Sequence, residues 1–290
     1  MKELFSNSSV IAKLLILLGV SLVSAVLFTV VFGLIVGMDM SNVMTLRTLQ
    51  SAQTIGAFLI PPFILAYIYS TDSLRFLYLK KTTKKTSYLY VILFIVAAIP
   101  FFTLLGDLNS RLELPEWLSG VETWMKTTEQ QTKELTLRML NVETISGLCL
   151  NIIVIALLPA IGEELMFRGA LMRIFQHWKN KHAAVWVAAI IFSAIHFQFY
   201  GFLPRMILGA CFGYMVLWTG SLFPAIVAHF FNNAFIVIVY YLSNNGFISI
   251  EVDNFGSGDT WQIGMICGMV ALLLFLLMKK KASIEAQVDE

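Results

Sequence analysis

NIIVIALLPAIGEELMFRGAL (151–171) decides how this chain is read. Its first eleven residues carry no charge, yet they run straight into Glu163, Glu164 and Arg168. Charges beside such a run are costly in a bilayer, about 2.5–3.5 kcal/mol each on insertion scales, and they default to functional candidates.

The rest of the chain agrees that the surroundings are lipid. Of 290 residues 58% are hydrophobic and only 13% charged, and the mean hydropathy is +0.78. Soluble domains carry about a quarter charged residues, so this chain has roughly half the charge a soluble surface uses. A span needs about 20 mainly apolar residues. On that rule eight spans are expected, near 11–37, 52–70, 87–105, 144–163, 184–200, 204–219, 222–242 and 262–278. The expected fold is therefore all-α: a polytopic transmembrane helical bundle, and a single domain over 1–290.

The basic stretches LRFLYLKKTTKKTS (74–87), RIFQHWKNKH (173–182) and KKK (279–281) separate from the acidic or neutral GDLNSRLELPEWLSGVETW (106–124) and ISIEVDNFGSGD (248–259). Basic loops stay on the cytoplasmic side. Both termini are then cytoplasmic, and 106–143 is an extracytoplasmic loop whose Leu135, Leu137, Met139 and Leu140 suggest an amphipathic helix. No basic stripe interleaved with aromatics occurs, which argues against nucleic acid. Cys149, Cys211 and Cys267 have no metal or disulfide spacing and read as packed apolar residues. Gly209/Gly213 and Gly264/Gly268 read as helix-packing pairs. Asp39 and Arg47 read as loop, and His177 and His182 as solvated.

If the helix continues past Gly162, Glu164 and Arg168 stand at i,i+4 and can pair. Glu163 points about 100° away and remains the free acid. Two more polar groups interrupt later spans: His196, one turn after Phe192, and His229 with Asn233, again at i,i+4. Three helices can turn such groups toward a bundle interior, where nothing in lipid would otherwise satisfy them. An unpaired Glu in a low-dielectric pocket is a stronger base than in water and, with a His, can hold and deprotonate a water. A second His and an amide can donate to an oxyanion. The same set, Glu163, His196, His229 and Asn233, could alternatively ligate Zn or another divalent ion. Glu163 is expected near the cytoplasmic end of its span, whereas His196 falls about 20 Å deep if its own span starts at 183. Either the helix bearing His196 starts above the membrane surface, which is the expectation adopted, or the helix of Glu163 runs on past Arg168 and the site lies deeper.

In order and spacing, EE-x3-R (Glu163, Glu164, Arg168), F-x3-H (Phe192, His196) and H-x3-N (His229, Asn233) resemble the CAAX-protease and bacteriocin-processing (CPBP, or Abi) family, which includes Rce1-type CAAX proteases. The resemblance covers 144–243. It implies an intramembrane endopeptidase, acting by a glutamate or a metal mechanism, on a membrane-associated peptide or protein. Glu163 and His196 would activate water, His229 and Asn233 would stabilise the oxyanion, and Glu164, Arg168 and Phe192 would support the site. The plain loops fit a multi-pass protein of a bacterial inner membrane. Two other classes use the same polar core: a non-catalytic scaffold or bacteriocin-immunity-type protein that binds a peptide, and a proton-coupled transporter. Paired broken helices and an inverted repeat, the marks of many transporters, are not evident.

Overall fold

The computed structural model describes residues 8–81, 83–176, 180–249 and 255–288, with side chains to 283; His177 lies outside them. Every element among these residues is helical. Seven helices are long and apolar enough to cross a membrane. They are α1 (Val10–Val36), α2 (Val43–Tyr69), α3 (Lys85–Ser110), α5 (Ile145–Gln176), α7 (Phe202–Thr219), α8 (Phe223–Asn244) and α9 (Trp261–Val288). Between them stand α4 (Ser119–Leu140) and α6 (Lys181–Ala194), the latter a shorter apolar helix of 14 residues that fills the place of the expected fifth span.

Local chemistry sets many of the boundaries. Side chains of Ser9, Asn42, Thr144 and Asn180 accept the first free N–H groups of α1, α2, α5 and α6. Gly220, left-handed at φ 65°, ends α7. Apolar residues then face outward as well as inward. Leu15, Leu22, Val26 and Leu34 of α1 and Met269, Leu272 and Leu276 of α9 are all exposed. Water would penalise such a surface and lipid does not.

The two bundle ends differ chemically. At one end Lys13, Lys279 and Lys281 lie over the rings of Tyr69, Trp218 and Tyr90. At the other, Arg138 donates to the Met40 and Ser41 carbonyls, Asn245 to Val142 O, and Asn109 to Phe199 O. The connections alternate between these ends.

Several expectations are corrected here. Arg47 is no loop residue. It lies within α2, 9% exposed, donating to Asn151 Oδ1 at 2.9 Å and Met139 O at 2.9 Å. The polar run VMTLRTLQSAQT forms a helix because its polar groups find partners on α4 and α5. Asp39 does stay in the loop, where the Ser41 hydroxyl and N–H hold its carboxyl below the usual range. Cys149 is exposed on the outer surface of α5 rather than packed inside. Most consequentially, α5 does not stop at 163 but runs on to Gln176. Glu163 thus lies about 27 Å from one end of its helix and about 20 Å from the other, deep in the bundle rather than near its edge. The extended α5 resolves the depth mismatch with His196, and α6 need not start above the membrane.

Candidate active site

α5 is not a uniform α-helix. A stretch at Leu158–Glu164 is bracketed by π-helical turns at Ile152–Leu157 and Leu165–Leu171. Pro159 supplies a cause for the first: its ring clashes with the carbonyl four residues back and its missing N–H opens the turn. A matching π turn at Ile55–Leu59 of α2 precedes Pro61 and Pro62. Such widened turns recur at functional sites, and here they bracket the two acids.

Glu164 is the paired acid. Wholly buried, its Oε1 accepts from Arg168 Nη1 at 2.7 Å and lies 2.9 Å from His229 Nδ1. A carboxylate only accepts, so Nδ1 carries the hydrogen. Arg168, 1% exposed, donates its Nη2 to Gly209 O at 2.8 Å. Its guanidinium sits between Phe192 and Phe212, 4.5 and 5.4 Å from the ring centroids. Glycine is required at 209: a Cβ there would come within 2.9 Å of Arg168 Nη2 and 3.0 Å of the Phe192 ring. This position therefore admits a guanidinium rather than only a neighbouring helix. Gly213, by contrast, packs on Val185, and Gly268 on Phe101.

Glu163 is the other acid. Its Oε2 lies 4.0 Å from His196 Nε2 and 3.8 Å from His229 Nε2. Both separations exceed a direct hydrogen bond, so two imidazoles converge on one oxygen without consuming it. His196 Nδ1 donates to Phe192 O at 2.7 Å, which turns the Nε2 lone pair toward Glu163. His196 stands just beyond α6, in a turn continued by Phe197 at φ 53°. A bulky residue in the left-handed region is held there by its surroundings. Phe197 and Phe199 pack on Trp124 of α4, and Tyr200 N–H donates to Glu129 Oε2.

Asn233 lies one turn past His229, and its Nδ2 makes a long 3.4 Å contact to Ile155 O. Its Oδ1 accepts from Asn232. Glu163, Glu164, Arg168, Phe192, His196 and His229 are brought together; Asn233 flanks them along α8 and α5. The sequence reading passed over Arg205, which clamps the turn by donating to Gln198 Oε1 at 2.6 Å and Gln198 O at 3.3 Å. The signal was present, a cation in LPRMIL at the edge of an apolar span. It also missed Asn109, which donates to Phe199 O and accepts from Leu203 N–H.

A bound metal ion is the other use of such donors. Among the described residues no group of three or more His, Cys, Asp and Glu side chains is gathered to hold one. His229 Nδ1 is committed to Glu164 and His196 Nδ1 to Phe192 O, so Nε2 of each imidazole is the atom that faces Glu163 Oε2.

Residues 145–235, the segment that carries Glu163, Glu164, Arg168, Phe192, His196, His229 and Asn233, match the model of the family described as type II CAAX prenyl endopeptidase Rce1-like. Over 88 residues the chain is 35% identical to the uncharacterized protein YpbD of Bacillus subtilis (strain 168), a match spanning 29% of this chain and 42% of that protein. No solved structure matches.

Proposed function

We propose that the chain is an intramembrane endopeptidase, of the CAAX-protease type, that hydrolyses a peptide bond of a membrane-associated peptide or protein. The observation that carries this reading is the convergence of His196 Nε2 and His229 Nε2 on Glu163 Oε2, at 4.0 and 3.8 Å, beside a separately neutralised Glu164. Glu163 takes one proton from a water whose other hydrogen is held by His196 Nε2. The resulting hydroxide adds to the scissile carbonyl carbon. Donors from α8 meet the oxyanion: His229 Nε2, when that ring is protonated between the two carboxylates, and Asn233 Nδ2. As the C–N bond breaks, Glu163 passes its proton to the amine nitrogen. Arg168 and Glu164 fix His229, and Phe192 fixes both His196 and the guanidinium. No step needs a metal.

The basic bundle end is cytoplasmic in this reading, with α4 on the outer surface of a bacterial inner membrane, and the stretch 144–243 holds the catalytic core. The test is cleavage of membrane peptides by purified protein in liposomes, read by mass spectrometry. Wild type cuts; Glu163→Gln and His196→Ala lose about 10²–10⁴-fold in rate. A folded Glu163→Gln protein that cuts like wild type sinks the proposal. Dialysis against a strong chelator is expected to leave activity unchanged.

A further inference from the structure

A second polar concavity opens at the basic end of the bundle, remote from Glu163. Arg75, Tyr78, Lys80, Lys81, Arg173 and Gly220 line a pocket of about 490 Å³. Three separate parts of the chain build it: the connection from α2 to α3, the last turns of α5, and the turn between α7 and α8. Hydrogen bonds fasten those parts. Leu222 N–H donates to Tyr78 O at 2.9 Å, and the Tyr78 hydroxyl donates to Gln176 Oε1 at 2.7 Å. Tyr78 holds this place at φ 58°, left-handed backbone that a bulky residue adopts only when its neighbours impose it. The Arg173 guanidinium lies 4.7 Å from the Tyr78 ring centroid and 5.6 Å from that of Phe76.

The pocket is strongly cationic. The stretch 70–87 carries Arg75, Lys80, Lys81, Lys84 and Lys85 against the single acid Asp72, and Arg173 adds a further charge from α5. Asp72 is committed to Lys80, whose Nζ it meets at 2.6 Å, and to the Arg75 N–H at 3.1 Å. Those two hydrogen bonds hold the Asp72 carboxyl below its usual range. One lysine of the lining is thereby neutralised; the other cations of the lining are Arg75, Lys81 and Arg173. A generic basic loop satisfies the charge asymmetry of membrane proteins without forming a concavity; here the cations are gathered around one.

Depth distinguishes the source of an anion. The pocket shares its bundle end with the lysine–aromatic pairs Lys13–Tyr69, Lys279–Trp218 and Lys281–Tyr90. Amphipathic rings and lysines of this kind sit at the headgroup level. Basic pockets between transmembrane helices on the cytoplasmic side suit anionic headgroups, and guanidinium forks match phosphate oxygens two at a time.

We propose that this pocket binds the phosphate of an anionic glycerophospholipid headgroup. The lipid's chains remain in the adjoining leaflet while Arg75, Lys81 and Arg173 hold the phosphate. This site does not depend on the peptidase reading, and its test does not use cleavage.

The test uses the full chain in nanodiscs of phosphatidylcholine containing a minor fraction of phosphatidylglycerol, with retained lipid counted by native mass spectrometry. Wild type is expected to retain phosphatidylglycerol over phosphatidylcholine. Arg75→Gln combined with Lys81→Gln, both at exposed positions, weakens that retention on the order of tenfold. Arg173→Gln weakens it comparably, and Arg173→Lys restores part of it. Lys84→Gln combined with Lys85→Gln removes equal charge from the same face outside the pocket, and is expected to change retention less than about twofold. Equal losses in the two double variants would mean diffuse surface charge and overturn the site. No loss in Arg75→Gln/Lys81→Gln would overturn it as well. Inorganic phosphate at millimolar concentration is expected not to displace the lipid; saturable displacement would assign the pocket to a soluble phosphate instead and overturn the lipid assignment.

Discussion

Adjacent residues Glu163 and Glu164 differ in everything but chemistry. One turns its oxygen to two imidazoles at 3.8 and 4.0 Å, and the other is spent on Arg168 and His229. Their substitutions should separate accordingly. Glu163→Gln is expected to lose cleavage while leaving the thermal unfolding midpoint in detergent unchanged, because both imidazoles stand beyond direct hydrogen-bond distance of its carboxyl. Arg168→Met leaves a buried carboxylate uncompensated and should destabilise the fold by about 3–5 kcal/mol, seen as a lowered midpoint. Gly209→Ala pushes a methyl against the same guanidinium and should cost about 1–3 kcal/mol, with activity falling alongside. The Glu164–Arg168 pairing was legible from i,i+4 spacing, since it needs only a continuous helix. What Gly209 admits was not. A glycine four residues from another reads as a helix-packing motif, and nothing local says that an arginine from 41 residues upstream will donate to its carbonyl.

Elements were legible where hydropathy dominates, and less so where polar partners do. α1 and α9 could be drawn from composition. α2 began nine residues earlier than hydropathy suggests because Arg47 finds Asn151 and Met139 O. α5 continued because RGALMRIFQ is buried on several sides, not because it is a cleaner apolar run. The π turns at Ile55–Leu59 and Ile152–Leu157 leave only a proline as their trace, and the one at Leu165–Leu171 leaves none. α4 bears on the site through the turn that carries His196: Trp124 meets Phe197 and Phe199, and Glu129 accepts from Tyr200 N–H. Trp124→Ala with Glu129→Gln should therefore speed deuterium exchange at 196–202 and lower kcat/KM about tenfold, since small misplacements of a reacting group are costly. Unchanged exchange in that turn would separate α4 from the site.

Across the whole molecule, alternating connections place the α2–α3 stretch and α9's end together, and α4 with the α1–α2 connection opposite. Cysteines introduced at Lys81 and Ser283 in a background lacking the native three are expected to react with a membrane-impermeant maleimide only from the inner face, and one at Thr127 only from the outer face. Labelling of all three from one face would contradict the alternation. The Glu164–Arg168 pair also has a consequence for how such a bundle comes into being. When α5 enters the bilayer during synthesis, His229 lies 65 residues downstream of Glu164 and has yet to be made. The helix brings its own counter-ion for one of its two acids, so a single carboxylate, Glu163, has to await the later helices. The contact that organises the finished site is thus one that a newborn α5 can make alone.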